Sequence, residues 1–339
     1  MTKSAPFRIA INGYGRIGQC VLRALYENGF RDHLRVVAIN ELSDIDTIAH
    51  LTRYDSTHGR FFGKVEASAG ELRINGDTIA ISHHEQLQDI DWTRHNIDVV
   101  LDCSGTIVRQ QELEKHIIPG ARHVLLSNPG EAGLPTIVYG LNHHELNAEV
   151  RVVSNASCTT NGIAPVIDVL HQAFGVRHGC ITTLHSAMND QPVIDAYHSD
   201  LRRTRAAVQS IIPVDTGLAI GITRLMPELA GKFESLHVRV PTINVSVLDV
   251  TLQLKHDVTV AQVNTLLKQA AENELSGILA FTQEPHASVD FNHDPHSGVV
   301  DATQTRISDG SLVKLMIWFD NEWGFANRML DTALQLSKL

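Results

Sequence analysis

The hexapeptide 13-GYGRIG-18 constrains this chain more than any other stretch. Its three glycines follow a G-x-G-x-x-G spacing, a pattern that says little alone. Context gives it physical content. The apolar run 7-FRIAIN-12 precedes it, and 16-RIGQCVLRALYENG-29 follows, with Ile17, Val21, Leu22 and Leu25 apolar and Gly29 placed as a helix stop. A strand, a tight turn and a helix are predicted. Gly13 permits the turn, Gly15 lets backbone approach a pyrophosphate, and Gly18 allows close helix–strand packing. Gly13, Tyr14, Gly15, Arg16, Ile17 and Gly18 together are read as a cofactor loop, with the pyrophosphate at the helix N-terminus. A second run, 34-LRVVAIN-40, leads into Glu41, 23 residues after Gly18. Its carboxylate can accept from ribose hydroxyls and would repel a 2′-phosphate, so NAD is expected rather than NADP.

The rest of the first half supports a sheet around that loop. The runs 97-IDVVLDC-103, 123-HVLLS-127, 136-TIVYG-140 and 151-RVVSN-155 are apolar enough for parallel strands covered on both faces. An α/β fold with a Rossmann doubly wound parallel sheet is predicted. The second half differs. Long alternating runs, 236-LHVRVPTINVSVLDVTLQL-254 and 312-LVKLMIWFD-320, with the amphipathic 259-TVAQVNTLLKQAAENE-274, predict an α+β domain on a mixed, largely antiparallel sheet. Residues 186–215 read as a long functional loop. The expected organisation is a dinucleotide domain over 1–157, completed by a C-terminal helix over 320–339, and a catalytic, substrate-binding domain over 158–319.

Composition narrows the partners. A net charge of -10, with basic residues scattered apart from 202-RRTR-205, argues against nucleic acid or an anionic membrane. No segment approaches the ~18 consecutive apolar residues of a membrane span. The start, MTKSAPFRIAINGYG, shows no signal-peptide core. Cys20, Cys103, Cys158 and Cys180 form no C-x-x-C pair, and the 19 histidines, the pairs His83-His84 and His143-His144 included, form no metal motif. No metal and a reducing, cytoplasmic setting are expected.

The stretch 154-SNASCTTNG-162 places one cysteine where an apolar strand gives way to a helix. A thiolate at a helix N-terminus is stabilised by the dipole and the open amides, so a depressed pKa is expected for Cys158. Pro165 is expected to interrupt that helix's bonding at the Asn161 carbonyl. The other three cysteines read as inert core residues. The strand-like 180-CITTLH-185 ends in His185, and its spacing leaves two readings open: a satisfied structural histidine, or a base for Cys158. The basic 202-RRTR-205 reads by itself as a solvated loop.

These strings together resemble a known family. The stretches 154-SNASCTTN-161, 182-TTLHS-186, 201-LRRTRAA-207, 209-QSIIP-213, 239-RVPT-242 and 320-DNEWG-324, with 10-AINGYGRIG-18 and 53-RYDSTHGRF-61, resemble the glyceraldehyde-3-phosphate dehydrogenase superfamily over essentially the whole chain. Finer features, 185-HSAMNDQPVIDAYHSDLRRTRAA-207, 213-PVDTG-217 and 289-VDFNHDPHSGVVDATQTR-306, look closer to its erythrose-4-phosphate-oxidising branch.

The resemblance implies roles for residues of this sequence. Cys158 matches the nucleophile, His185 the base and Asn321 the holder of the nicotinamide carboxamide. Arg203 and Arg239 match phosphate-site arginines, and Ser157, Thr159, Thr216 and Gly217 match the anion sites. It also implies a homotetramer and a small-molecule aldose phosphate as substrate. Three departures bear on that substrate: Met188 stands where a phosphate-binding threonine is usual, Val214-Asp215 replace a threonine-rich stretch, and Phe325 replaces a tyrosine. They are compatible with a longer aldose phosphate and with water resolving a thioester. The product would then be 4-phosphoerythronate, on a route to pyridoxal 5′-phosphate.

Overall fold

The computed structural model describes residues 5–339. They divide into two compact units: one runs through Ser157 and takes in Ala326–Leu339, and the other is Cys158–Phe325.

In the first unit, the strand Phe7–Asn12 lies between Leu34–Asn40 on one side and Val99–Asp102 on the other, both parallel to it. The sheet extends in parallel through His123–Leu126 to Val152–Ser154 on one flank, and to Asp77–Ser82 on the other. Glu71–Ile74 and Val65–Ser68 add an antiparallel edge. Chain order reverses at Phe7–Asn12, which is the doubly wound arrangement expected, and ligands of such sheets bind beyond the carboxyl ends of the strands at this switch point. One predicted strand is absent. Thr136 makes a single bridge to Ser154, and the side chain of Asn142 then satisfies the Thr136 carbonyl and the Val138 amide in place of a ladder.

A buried polar network crosses the switch point. Asn40 Nδ2 donates to Asn12 Oδ1 at 2.9 Å, and Asn12 Nδ2 to Asp102 Oδ2 at 2.9 Å. His116 Nε2 lies 3.0 Å from the same Asp102 oxygen, with both side chains fully buried. Buried groups of this kind are retained only when their hydrogen bonds are complete. The network fixes the strand ends from which the glycine loop departs.

The second unit carries a mixed sheet in the order Ile212–Val214, Phe233–Arg239, Val176–His185, Ser246–Leu254, Leu312–Phe319, Gly298–Asp301, Leu279–Thr282. Phe233–Arg239 runs parallel to Val176–His185, Leu279–Thr282 runs parallel to Gly298–Asp301, and the remaining pairs along this path are antiparallel. The run 236–254 therefore splits into two strands of the same sheet. Residues 240–245 separate them, and Val245 has φ 66°, a conformation that a β-branched residue adopts only under tertiary constraint. Helix Cys158–Phe174, buried from Thr159 through Ile167, packs on this sheet and continues through Pro165. The 186–215 segment contains a short 3₁₀ turn at Leu201–Thr204 and the edge strand Ile212–Val214. No helix among the described residues is long and apolar enough to cross a membrane.

Candidate active site

The glycine loop is built as the sequence requires. Gly13 has φ 84°, and a Cβ there would fall 2.6 Å from the Ser104 backbone. A Cβ on Gly18 would fall 2.4 Å from the Gly13 carbonyl oxygen. Gly15 is different: it caps helix Arg16–Glu27 without a side chain, and a Cβ on it would enter open space. That space, at a helix N-terminus, is what an approaching pyrophosphate needs, so the loop fits the cofactor. Glu41 ties the loop to the second strand, its Oε2 accepting the Tyr14 amide at 2.7 Å and its Oε1 the Leu42 amide at 2.8 Å. Not every loop side chain faces a ligand. The Tyr14 ring is buried with its hydroxyl 2.8 Å from Thr52 Oγ1, and the Arg16 guanidinium forks onto Asp55 at 2.5 and 3.2 Å. Ile17 is half-buried.

The second unit gathers a different chemistry. Along Val176–His185 burial alternates, so Gly179, Ile181, Thr183 and His185 face inward while Cys180 is exposed on the opposite face. Cys180 is thus no core residue, contrary to the expectation from its apolar neighbours. Cys20 and Cys103 are buried as predicted. His83 and His84 are exposed, whereas His143 is half-buried and stacks on Tyr139 at 4.3 Å. On the inward face, His185 Nε2 lies 3.8 Å from Cys158 Sγ, where the Cys158 helix begins. His185 Nδ1 is 2.8 Å from the Ser186 carbonyl oxygen and 2.7 Å from Arg239 Nη1.

Strand register explains the grouping. Thr183 pairs with His237, and His185 with Arg239, so positions 237 and 239 share the face that carries 183 and 185. His237 stacks on His185 with ring centroids 4.8 Å apart. Asn321 joins the cluster through its Oδ1, which accepts from Ser186 Oγ and Ser246 Oγ at 3.0 Å each.

Burial governs the electrostatics. It pushes the Cys158 thiol up to about 11, although the Thr159 amide and the Arg239 charge pull the other way. Desolvation thus opposes the depression expected from the helix terminus, which the Thr159 amide and Arg239 supply. Burial, then the Arg239 and His237 charges, hold His185 well below the usual imidazole range. His237 is lowered to about 3 by burial and by Arg239 and Arg203.

The structure brings Cys158, His185, Arg239 and Asn321 into one cluster. Arg203 lies near enough to lower the pKa of Arg239, its Nη1 held by Asp190 at 2.6 Å. Thr159 is buried in the first turn of the Cys158 helix, and Ser157 precedes it, half-buried. Thr216 and Gly217 form the turn before helix Leu218–Leu225, with Thr216 Oγ1 accepting the Leu218 amide at 3.2 Å. Motif reading missed His237, Ser186 and Ser246. The first was accessible from the alternation of 237-HVR-239, but the two serines carry no local signal.

A glycine loop on a doubly wound sheet, with a half-buried thiol facing a buried imidazole in a second unit, defines the class: an NAD-dependent dehydrogenase. Comparison with family models specifies it. The NAD binding domain of glyceraldehyde 3-phosphate dehydrogenase matches residues 7–110, and the C-terminal domain of the same enzyme matches residues 157–321. The chain belongs to the glyceraldehyde-3-phosphate dehydrogenase family, oxidoreductases that use NAD and act on a phosphorylated aldehyde.

Proposed function

We propose that this enzyme oxidises D-erythrose 4-phosphate to 4-phosphoerythronate, with Cys158 as nucleophile, His185 as base and water as the acceptor of the acyl group. The observation that supports it most is the 3.8 Å approach of His185 Nε2 to Cys158 Sγ beside the Arg239 guanidinium. An aldehyde is a poor hydride donor, because loss of hydride leaves an acylium ion. Addition of the Cys158 thiolate gives a hemithioacetal, whose alkoxide can expel hydride and leave a thioester. NAD supplies the hydride acceptor when bound. His185 takes the thiol proton, returns it to the aldehyde oxygen as sulfur adds, and takes it again from the hemithioacetal as hydride leaves, while the Cys158 amide with the imidazole supports the oxygen.

Asn321 orients the nicotinamide carboxamide, since Ser186 and Ser246 fix its Oδ1 and leave the amide nitrogen for another partner. Gly13 to Gly18 and Glu41 hold the pyrophosphate and ribose. Arg239 and Arg203 take the substrate phosphate, for which a guanidinium fork is suited. Ser157, Thr159, Thr216 and Gly217 complete the anion sites.

The four-carbon substrate and hydrolytic resolution rest on the exposed Met188 and on Asp215, also exposed, at the turn before Thr216. On this reading the Asp215 carboxylate faces the anion site and disfavours inorganic phosphate as the acyl acceptor. On this reading the enzyme is a cytoplasmic homotetramer whose product feeds pyridoxal 5′-phosphate synthesis. Steady-state assays on erythrose 4-phosphate and glyceraldehyde 3-phosphate, with and without inorganic phosphate, test it. Turnover of the tetrose without phosphate is expected. A preference for the triose with an absolute phosphate requirement identifies a phosphorylating glycolytic enzyme instead.

A further inference from the structure

The crossover from the strand Asp77–Ser82 to the strand Val99–Asp102 contains no α-helix. Such connections usually carry one, which covers the strands it passes over. Here two 3₁₀ turns, Leu87–Asp89 and Trp92–His95, make the passage. Ile90, Trp92 and Ile97 cover Ala10, Val37 and Ala38 in one apolar cluster. Past that cluster, towards the amino ends of the strands, a cavity of about 360 Å³ opens over Val37 and Ala80. Small-molecule sites typically measure about 300–1,000 Å³. Every residue that lines this one belongs to the first unit, and it lies at the opposite end of the strands from the glycine loop.

Its charge is lopsided. Arg8 and Arg35 are register partners on adjacent parallel strands and both line the cavity, so their side chains leave one sheet face from backbones about 4.8 Å apart. Like charges directly opposite each other destabilise a sheet. The nearby carboxylates are largely engaged elsewhere. Asp77 accepts from Arg31 Nε at 2.8 Å and from the Tyr26 hydroxyl at 3.0 Å, and stands 3.7 Å from Arg35 Nη2. Asp98 accepts the Arg8 backbone amide at 2.8 Å and faces Arg122 at 3.4 Å, and Glu71 faces Arg73 at 3.5 Å. Among the described residues the Arg8 guanidinium meets no carboxylate. Its Nε donates to the His95 carbonyl at 2.6 Å, which leaves the two terminal nitrogens of the fork. The field of that cation reaches the His95 ring, which also lines the cavity: burial, then the Arg8 and Arg94 charges, lower its pKa against the pull of Asp91.

We propose that this cavity binds the phosphate group of a small metabolite, with Arg8 and Arg35 sharing the dianion and Val37 and Ala80 flooring the space for the body that carries it. A phosphate monoester suits the pair. It holds close to two negative charges at neutral pH on three acceptor oxygens, so one compact group can offset both guanidinium charges and accept from both forks. A carboxylate brings a single charge. Glu71 and Asp77, which stand on the Glu71–Ile74 and Asp77–Ser82 hairpin, repel an anion from that side and leave the Arg8 side to it. Thr78 adds a neutral hydroxyl at the rim. None of Cys158, His185, Arg203 and Arg239 lines the cavity, so the site is separate from the reacting groups and turnover does not depend on its two arginines.

Hydrogen exchange of the full-length protein, read by mass spectrometry, tests this with inorganic phosphate as probe and ionic strength held constant with sodium chloride. The turns at residues 75–78 and 92–98 border the cavity, while peptides containing Thr216 or Arg239 report separately on anions bound in the second unit. Phosphate at ten times its midpoint concentration is expected to slow exchange in both turns of the wild type by about tenfold. Arg8→Ala combined with Arg35→Ala is expected to lose that protection, to keep any response of the second-unit peptides and to turn over substrate as the wild type does. Arg35→Glu changes a side chain that is 45% exposed and covers the case in which the double variant does not fold. It too is expected to lose the protection. Acetate, a carboxylate monoanion, is expected to leave both turns exchanging at the free rate. The site is overturned if phosphate protects neither turn in the wild type, if the protection survives in the variants, or if acetate reproduces it in full.

Discussion

His185 Nε2 stands 3.8 Å from Cys158 Sγ because the inward-facing end of one strand meets the first residue of one helix. Both partners are held by elements of the same unit, so the pair is a property of the fold and not of a mobile loop. Replacing Cys158 by Ser is expected to abolish turnover while leaving NAD binding measurable by fluorescence titration. His185→Asn is expected to lower kcat by about 10²–10⁴, the usual worth of a positioned general base. Full activity in Cys158→Ser would remove the covalent mechanism.

The two groups also set a pH dependence. Burial raises the thiol to about 11 and lowers the imidazole. A raised thiol pKa means that thiolate accumulates only as pH increases. Alkylation of Cys158 by iodoacetamide, followed by mass spectrometry, is therefore expected to accelerate by about tenfold per pH unit from 7 to 10. A rate that levels off near neutrality contradicts this.

What could be read in the sequence was local. The glycine hexapeptide works within six residues, and the helix that begins at Cys158 follows directly from the polar turn before it. Long-range placement was another matter. Residues 236–254 alternate straight through a loop, so periodicity alone could not show that two strands lie there with Val176–His185 between them. Cys180 looked like core because its neighbours are apolar, yet strand parity puts it on the outer face. The thiol shows the same division: the helix terminus that lowers its pKa is visible in sequence, but the packing that opposes it is not.

The three glycines separate fold from ligand. Gly13→Ala meets the Ser104 backbone at 2.6 Å in a left-handed conformation, and Gly18→Ala meets the Gly13 carbonyl at 2.4 Å. Each is expected to cost at least about 2 kcal/mol of stability, from backbone strain and overpacking. Gly15→Ala meets nothing, so its melting temperature should stay near wild type while NAD affinity falls. Thermal melts and NAD titrations on the three variants check this, and equal destabilisation by all three would refute it.

Asn321 Oδ1 is fixed by two serine hydroxyls, each at 3.0 Å. Ser186→Ala or Ser246→Ala removes one donor and is expected to loosen the side-chain amide by about 0.5–1.5 kcal/mol. The KM for NAD should rise roughly two- to tenfold, by that same free energy. The KM for the aldose phosphate should hold. An unchanged KM for NAD in the double variant would remove Asn321 from the nicotinamide site.

His237 gives the protein an acid-sensitive core. Its folded pKa lies at about 3 against an ordinary 6.5, so between those values the unfolded chain binds a proton that the folded chain refuses. Stability then rises with pH across this window and is lost as pH falls through it, at up to about 1.4 kcal/mol per pH unit for a single group. His185 is depressed in the same direction and contributes likewise. His237→Leu, close in volume, keeps the His185 contribution and deletes the other. Melting temperatures measured from pH 7.5 down to 4 are expected to fall more shallowly in the variant, with the gap widening below pH 6.5. Curves that run parallel would mean that His237 is already protonated in the folded protein, beside Arg239 and Arg203, and that burial does not govern this corner of the site.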